Sequence, residues 1–211
     1  MVSGSAYTRY PCGPHKADVT ATKHIIGIDP GFGETGVVLY TDATPDILDW
    51  ATFSCPPHGQ AAAARAASLA EHVLVELIKW VATYQITNLD VCIEIPFLKR
   101  GRVDSYQKQM RVVQELESGI LFRLSSEVME LWVTEVSPTQ AKLLACNYGQ
   151  ATKEQVVAAS PFSAYPMDAQ TTLEAVADAW AIGQAAWAVK GKRFNFKSVK
   201  AAKIIRRSHD T

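Results

Sequence analysis

Four carboxylates stand where the pattern around them is apolar. Asp29 closes the apolar run 25–28, Glu94 lies near the end of LDVCIEI at 89–95, and Glu174 and Asp178 interrupt an apolar helical pattern that opens near Thr171 or Thr172. A charge on a buried strand gives up its water, so such an acid is either satisfied locally or holds a cation. Glu174 and Asp178 are four residues apart, hence on one face of their helix. Carboxylates brought together repel unless divalent cations sit among them, and oxygen-only ligands select Mg²⁺ or Mn²⁺. Two such ions about 4 Å apart activate water and stabilise a leaving oxygen in phosphodiester cleavage. Taken singly, each acid has a plainer reading. Asp29, before Pro30, suits a turn residue that accepts backbone N–H bonds. Glu94 suits the partner of a lysine, and Glu174, in the first turn of its helix, complements the helix dipole. Asp178 lies inside the apolar pattern, where neither explanation applies, and the combination is more informative than any member.

The elements that must position these acids follow from hydrophobic periodicity. The stretch HIIGIDPGFGETGVVLY at 24–40 reads as two strands joined by a tight turn at Pro30, Gly31 and Gly33, with 37–40 as the second apolar run. ILDWATFS at 47–54 reads as a third strand, ended by Pro56 and Pro57. From 60 to about 84, Ala66, Leu69, Ala70, Val73, Leu77 and Val81 recur at helical spacing. The run 89–95 is a buried parallel strand closed by Pro96. A basic loop at 98–109 leads into a helix that carries Val113, Leu116, Ile120 and Leu124 on one face, and 131–136 is a fifth strand. Ser137 and Pro138 open a short helix ending near Asn147 and Gly149; Thr152 with Gln155 forms a capping box for the next; a last helix runs through Trp180 and Trp187 to about Lys190. Three strands, helix, strand, helix, strand, then helices predicts an α/β domain with one mixed sheet. A crossover through the 60–84 helix makes the first and fourth strands neighbours, so Asp29 and Glu94 converge at the carboxyl end of the sheet.

The chain has 211 residues, 48% of them hydrophobic, which suits one core and one domain. Lys and Arg balance Asp and Glu at 21 each, so any basic surface has to be local. Cys12, Cys55, Cys92 and Cys146 are scattered without a Cys-x-x-Cys pair, which argues against a zinc site or a disulfide framework and for free thiols in a reducing compartment. No apolar run approaches the ~20 residues of a membrane span and no secretory signal layout opens the chain, so no membrane partner and a cytoplasmic or nucleoid-associated location are expected. Residues 1–23 read as a flexible leader, 24–190 as the domain, and 191–211 as a basic tail carrying Lys192, Arg193, Lys197, Lys200, Lys203, Arg206 and Arg207.

Several separate blocks across 24–190 resemble the RuvC Holliday-junction resolvases of the ribonuclease H-like nuclease superfamily. GIDPGFGETG at 27–36 is similar to the first catalytic motif, EIPF at 94–97 to the second, SPTQAKLLACNYGQATKEQV at 137–156 to the DNA-binding block, and AVADAWAIGQA at 175–185 to the last catalytic helix. The resemblance implies a ribonuclease H-like mixed five-stranded sheet flanked by helices. It implies Asp29, Glu94 and Asp178 as metal ligands, Lys142 and Lys153 as the two lysines beside the scissile phosphate, and Phe97 as an aromatic wedge. The family usually places an acid or histidine three residues before the last aspartate, where this chain has Ala175; Glu174, one position earlier and longer, is the substitute ligand expected.

The expected activity is therefore Mg²⁺-dependent nicking of four-way or branched DNA. Two ions per site are implied, with Mn²⁺ able to substitute. Lys99, Arg100 and Arg102 beside Phe97 add phosphate contacts, and a homodimer would supply the paired nicks that a two-fold symmetric junction needs. A non-catalytic junction-binding protein, a related nuclease on RNA or other branched DNA, and a small actin-like ATP binder are the competing readings.

Overall fold

The computed structural model describes residues 22–41, 47–55, 61–98, 101–164 and 170–188. The leader, apart from Thr22 and Lys23, and the basic tail lie outside the described residues.

Ile, Val and Leu in close succession make β1 (His24–Asp29), β2 (Glu34–Thr41), β3 (Ile47–Ser54), β4 (Asn88–Glu94) and β5 (Glu130–Val136). Their order across the sheet is β3-β2-β1-β4-β5. β1 pairs antiparallel with β2, and β2 with β3, while β1 with β4 and β4 with β5 are parallel. β1, β2 and β4 are buried along nearly their whole length because both faces are covered there, whereas the edge strand β5 alternates buried with more open positions. Alternation sorts their side chains all the same: Ile26, Ile28, Val37 and Leu39 point to one core, Ile25, Val38 and Tyr40 to the other.

The first core is closed by α1 (Ala62–Thr83) and α2 (Val103–Gly119), the latter extended by a π-helical turn (Ile120–Leu124) and a short α3 (Ser125–Glu127). All six apolar residues spaced along 66–81 are buried, as the periodicity requires. The second core is closed by α4 (Pro138–Cys146), α5 (Lys153–Ala159), α6 (Gln170–Gly183) and α7 (Ala185–Ala188). Capping boxes fix where α4 and α5 begin: Ser137 with Gln140, and Thr152 with Gln155. Asn147 ends α4 in the left-handed conformation at φ 56°.

Three boundaries differ from the sequence reading. β2 starts at Glu34, three residues before its apolar run, because Thr35 is buried there and its hydroxyl donates to the Gly31 carbonyl at 3.0 Å. α2 starts at Val103, inside the segment expected to be a basic loop; its first turns are exposed, so they carry no apolar stripe to announce a helix. The final helix is interrupted after Gly183, where the Tyr40 hydroxyl lies 1.8 Å from the position a Cβ would take. Among the described residues Cys55, Cys92 and Cys146 are free thiols, while Cys12 lies outside them. Among the same residues no helix is long and apolar enough to cross a membrane.

Candidate functional site

Ile28 of β1 lies opposite Ile93 of β4, so the next residue on each strand, Asp29 and Glu94, stand side by side at the carboxyl edge of the sheet. Asp29 is held at a tight turn, with the Gly31 N–H donating to the Asp29 carbonyl at 2.9 Å. Pro96 stops the β4 line, after the Ile95 N–H has donated to the Val136 carbonyl at 2.8 Å. α6 brings the third acid. Its backbone rests directly on β1 and β2, because Gly27 and Gly36 carry no side chain: a Cβ on Gly27 would lie 1.9 Å from the Ala179 carbonyl oxygen, and one on Gly36 2.1 Å from that of Ala175. With the helix seated so low, Asp178 reaches the strand ends.

Asp29, Glu94 and Asp178 line one cleft of about 520 Å³. α4 contributes Lys142 and α5 contributes Lys153 to its wall, and α2 contributes Tyr106 and Gln109, with Arg102 just ahead of it. Burial, with help from neighbouring acids, raises the proton affinity of all three carboxylates. Burial first, then the Asp178 charge, pushes the Asp29 carboxyl up to about 7 against the opposing pull of Lys153. Burial, then Asp29 and Asp178, pushes Glu94 up to about 9, while Lys142 and Lys153 oppose. Asp178 is raised by burial and by Glu174, with the two lysines again holding it down. Burial works against the Lys153 charge, yet the hydrogen bond to Glu174 and the charges of Asp178, Glu174 and Asp29 outweigh it, and its ammonium is held above the usual lysine range.

The remaining expected residues divide. Glu174 does not line the cleft: its Oε2 accepts from Lys153 Nζ at 3.0 Å, and the same Nζ stands 3.9 Å from Asp178 Oδ2. Ala175 is buried, with its carbonyl over Gly36. Phe97 lines the cleft while remaining 72% exposed. Lys99 and Arg100 lie outside the described residues. Ser105, Tyr106 and Gln109 were not anticipated; their three- and four-residue spacing is the helical signal that could have found them once 103–109 is read as a helix.

Among the described residues, no three Asp, Glu, His or Cys side chains stand close enough together to hold one ion as they are. The donor set still fits a hard divalent cation in kind. It is all carboxylate, it opens on one cleft, and its ionised form is disfavoured by burial and by the neighbouring acids in spite of the pull of Lys142 and Lys153. A cation there would exchange places with the protons.

No protein-family model matches the chain, and no curated protein matches it. Among solved structures, the chain is similar to Thermus thermophilus RuvC at 18% identity and a TM-score of 0.55, covering 81% of this chain and 98% of that one. The T. thermophilus RuvC structure in complex with Holliday junction substrate matches with the same identity and coverage and a TM-score of 0.54. The fold is RuvC-like. At this identity the likeness establishes the architecture, an α/β fold with a five-stranded mixed sheet flanked by helices, of ribonuclease H-like type. An Aquifex aeolicus member of the Ppx/GppA family aligns over 59% of this chain and 38% of its own, at 17% identity and a TM-score of 0.35, too slight to carry an argument.

Proposed function

We propose that this chain is a Mg²⁺-dependent, structure-selective DNA endonuclease that nicks four-way junctions, acting as a homodimer through the domain spanning 24–190. The observation that carries the reading is the meeting of Asp29, Glu94 and Asp178 in one cleft that also presents Lys142 and Lys153. Asp29, Glu94 and Asp178 would hold the cations, Mg²⁺ or Mn²⁺, which supply a polarised water and neutralise the leaving oxygen. Lys142 and Lys153 offset the charge that builds on the scissile phosphate. Phe97, exposed at the cleft and preceded by Pro96, stacks on bases parted at the crossover, and Arg102 contacts the backbone.

The test incubates the chain with a mobile four-way junction and Mg²⁺, beside Asp29→Asn. Wild type is expected to make symmetric nicks, and the variant to bind without cutting. Equal cutting by both would refute the assignment of Asp29. A second reading, junction binding without cleavage, is favoured by Ala175 and by the open spacing of the acids. Tight binding by wild type with no nick at any Mg²⁺ concentration would establish it instead.

A further inference from the structure

We propose that Glu174 is a positioning residue for Lys153 and does not ligate a cation. The inference rests on the nuclease reading above and concerns the same cleft. Glu174 and Asp178 lie one turn apart on α6, and Lys153 at the start of α5 reaches across to both. The two contacts are unequal. The Lys153 Nζ donates to Glu174 Oε2 at 3.0 Å, a hydrogen-bonded ion pair, but stands 3.9 Å from Asp178 Oδ2, beyond hydrogen-bond length. Glu174 is absent from the cleft lining that Asp178 shares, and of the three cleft acids it raises only Asp178.

This geometry has a consequence when a divalent cation occupies Asp178. Like charges repel, so the ammonium of Lys153 would be driven from Asp178. Its side chain is 58% exposed and flexible, and with no other anchor it would swing into water. Glu174, which pairs with Lys153 without lining the cleft, supplies that anchor and keeps the ammonium at the cleft wall where a phosphate passes. An exposed ion pair is weak, so the expected effect is a change in where Lys153 spends its time, without loss of fold.

The test compares Glu174→Gln, Lys153→Ala and the double variant with wild type. Junction binding is measured in Ca²⁺ across a range of salt concentrations, and cleavage across a range of Mg²⁺ concentrations. Glu174→Gln is expected to lower kcat/KM about 10-fold with the Mg²⁺ midpoint unchanged. It is also expected to flatten the slope of log Kd against log salt by about one, as Lys153→Ala does, with no further loss in the double variant. A Mg²⁺ midpoint raised severalfold in Glu174→Gln makes Glu174 a ligand and overturns the proposal. So does an effect that persists in full on the Lys153→Ala background, or a variant indistinguishable from wild type. Wild type that neither binds nor cuts branched DNA overturns the nuclease reading itself, a result no Glu174 variant could produce.

Discussion

Gly27 of β1 and Ala179 of α6 meet backbone to backbone, so closely that a Cβ on the glycine would lie 1.9 Å from the Ala179 carbonyl oxygen. Ala179 follows Asp178, and Gly27 precedes Asp29 by two residues. The depth at which the helix sits on the sheet therefore sets the separation of two of the three cleft acids. Gly36 repeats the device one strand over, against Ala175. Ala175 is itself buried, and its carbonyl is the group that faces Gly36, so α6 rests on the sheet through two such backbone contacts.

Gly36→Ala is accordingly expected to cost about 2–3 kcal/mol, because the atom it meets is a carbonyl in a helix and cannot turn aside. Cleavage should fall with it as α6 lifts and carries Asp178 from Asp29. Gly33→Ala is the control, since nothing lies within 4 Å of its added Cβ, and should stay within about 0.5 kcal/mol of wild type. Urea unfolding gives both numbers. Equal stability of the two variants would refute the close seating.

Much of this arrangement was legible before any coordinate. β1 and β4 announce themselves as apolar runs because both faces of the sheet are covered there, and the crossover rule put Asp29 beside Glu94. The capping box at Thr152 and Gln155 was readable because it is local chemistry. What the sequence hid is tertiary. The start of α2 carries no stripe because its first turns bury little, so three cleft-lining residues passed as loop. Spacing put Glu174 and Asp178 on one helix face but could not show that a lysine from α5 would approach that face and take the first of them. The need for a glycine at 183 likewise comes from Tyr40, far away in the chain.

Phe97→Ala should leave stability within about 0.5 kcal/mol of wild type, because a side chain 72% exposed has little packing to lose. Junction affinity is expected to fall by about 1–3 kcal/mol, the usual worth of one stacked base, while Phe97→Tyr keeps most of it. Fluorescence anisotropy with a labelled junction measures both. An unchanged affinity in Phe97→Ala would remove this residue from the binding surface.

Thr152→Ala removes the side chain that accepts from the Gln155 N–H at 3.4 Å, and leaves the reciprocal bond, Thr152 N–H to Gln155 Oε1 at 2.8 Å, without its partner. The expected cost is about 1 kcal/mol, with Thr152→Ser close to wild type. Lys153 is the first residue of the capped helix, so the alanine variant should also cleave more slowly than its lost stability explains. Circular dichroism melts and junction cleavage, compared between the alanine and serine variants, check the two effects; a serine variant as impaired as the alanine would mean that the threonine methyl, not the cap, matters.

The raised carboxyls give the protein a pH dependence of definite sign. Asp29, ordinarily at 3.8, is pushed to about 7, and Glu94, ordinarily at 4.5, to about 9. Through that interval the folded chain holds protons that the unfolded chain has already released, so metal-free stability must fall as pH rises from about 5 to about 9. Asp178 is raised too and acts in the same direction; Cys92 and Tyr40, also raised, add to the fall only above about pH 9, and Glu154, lowered, matters only in acid. Both cleft acids are partly open to water, which tempers the effect to a fall of about 5–10 °C in Tm across the interval. A divalent cation binds only the ionised carboxylates, so saturating Mg²⁺ should restore most of the loss at the alkaline end and do little near pH 5. Thermal melts with Mg²⁺ or with a chelator at each end of the range measure this. A Tm that climbs with pH in the chelator, or a Mg²⁺ effect as large in acid as in alkali, would mean that Asp29 and Glu94 are not held protonated by burial and by the acids beside them.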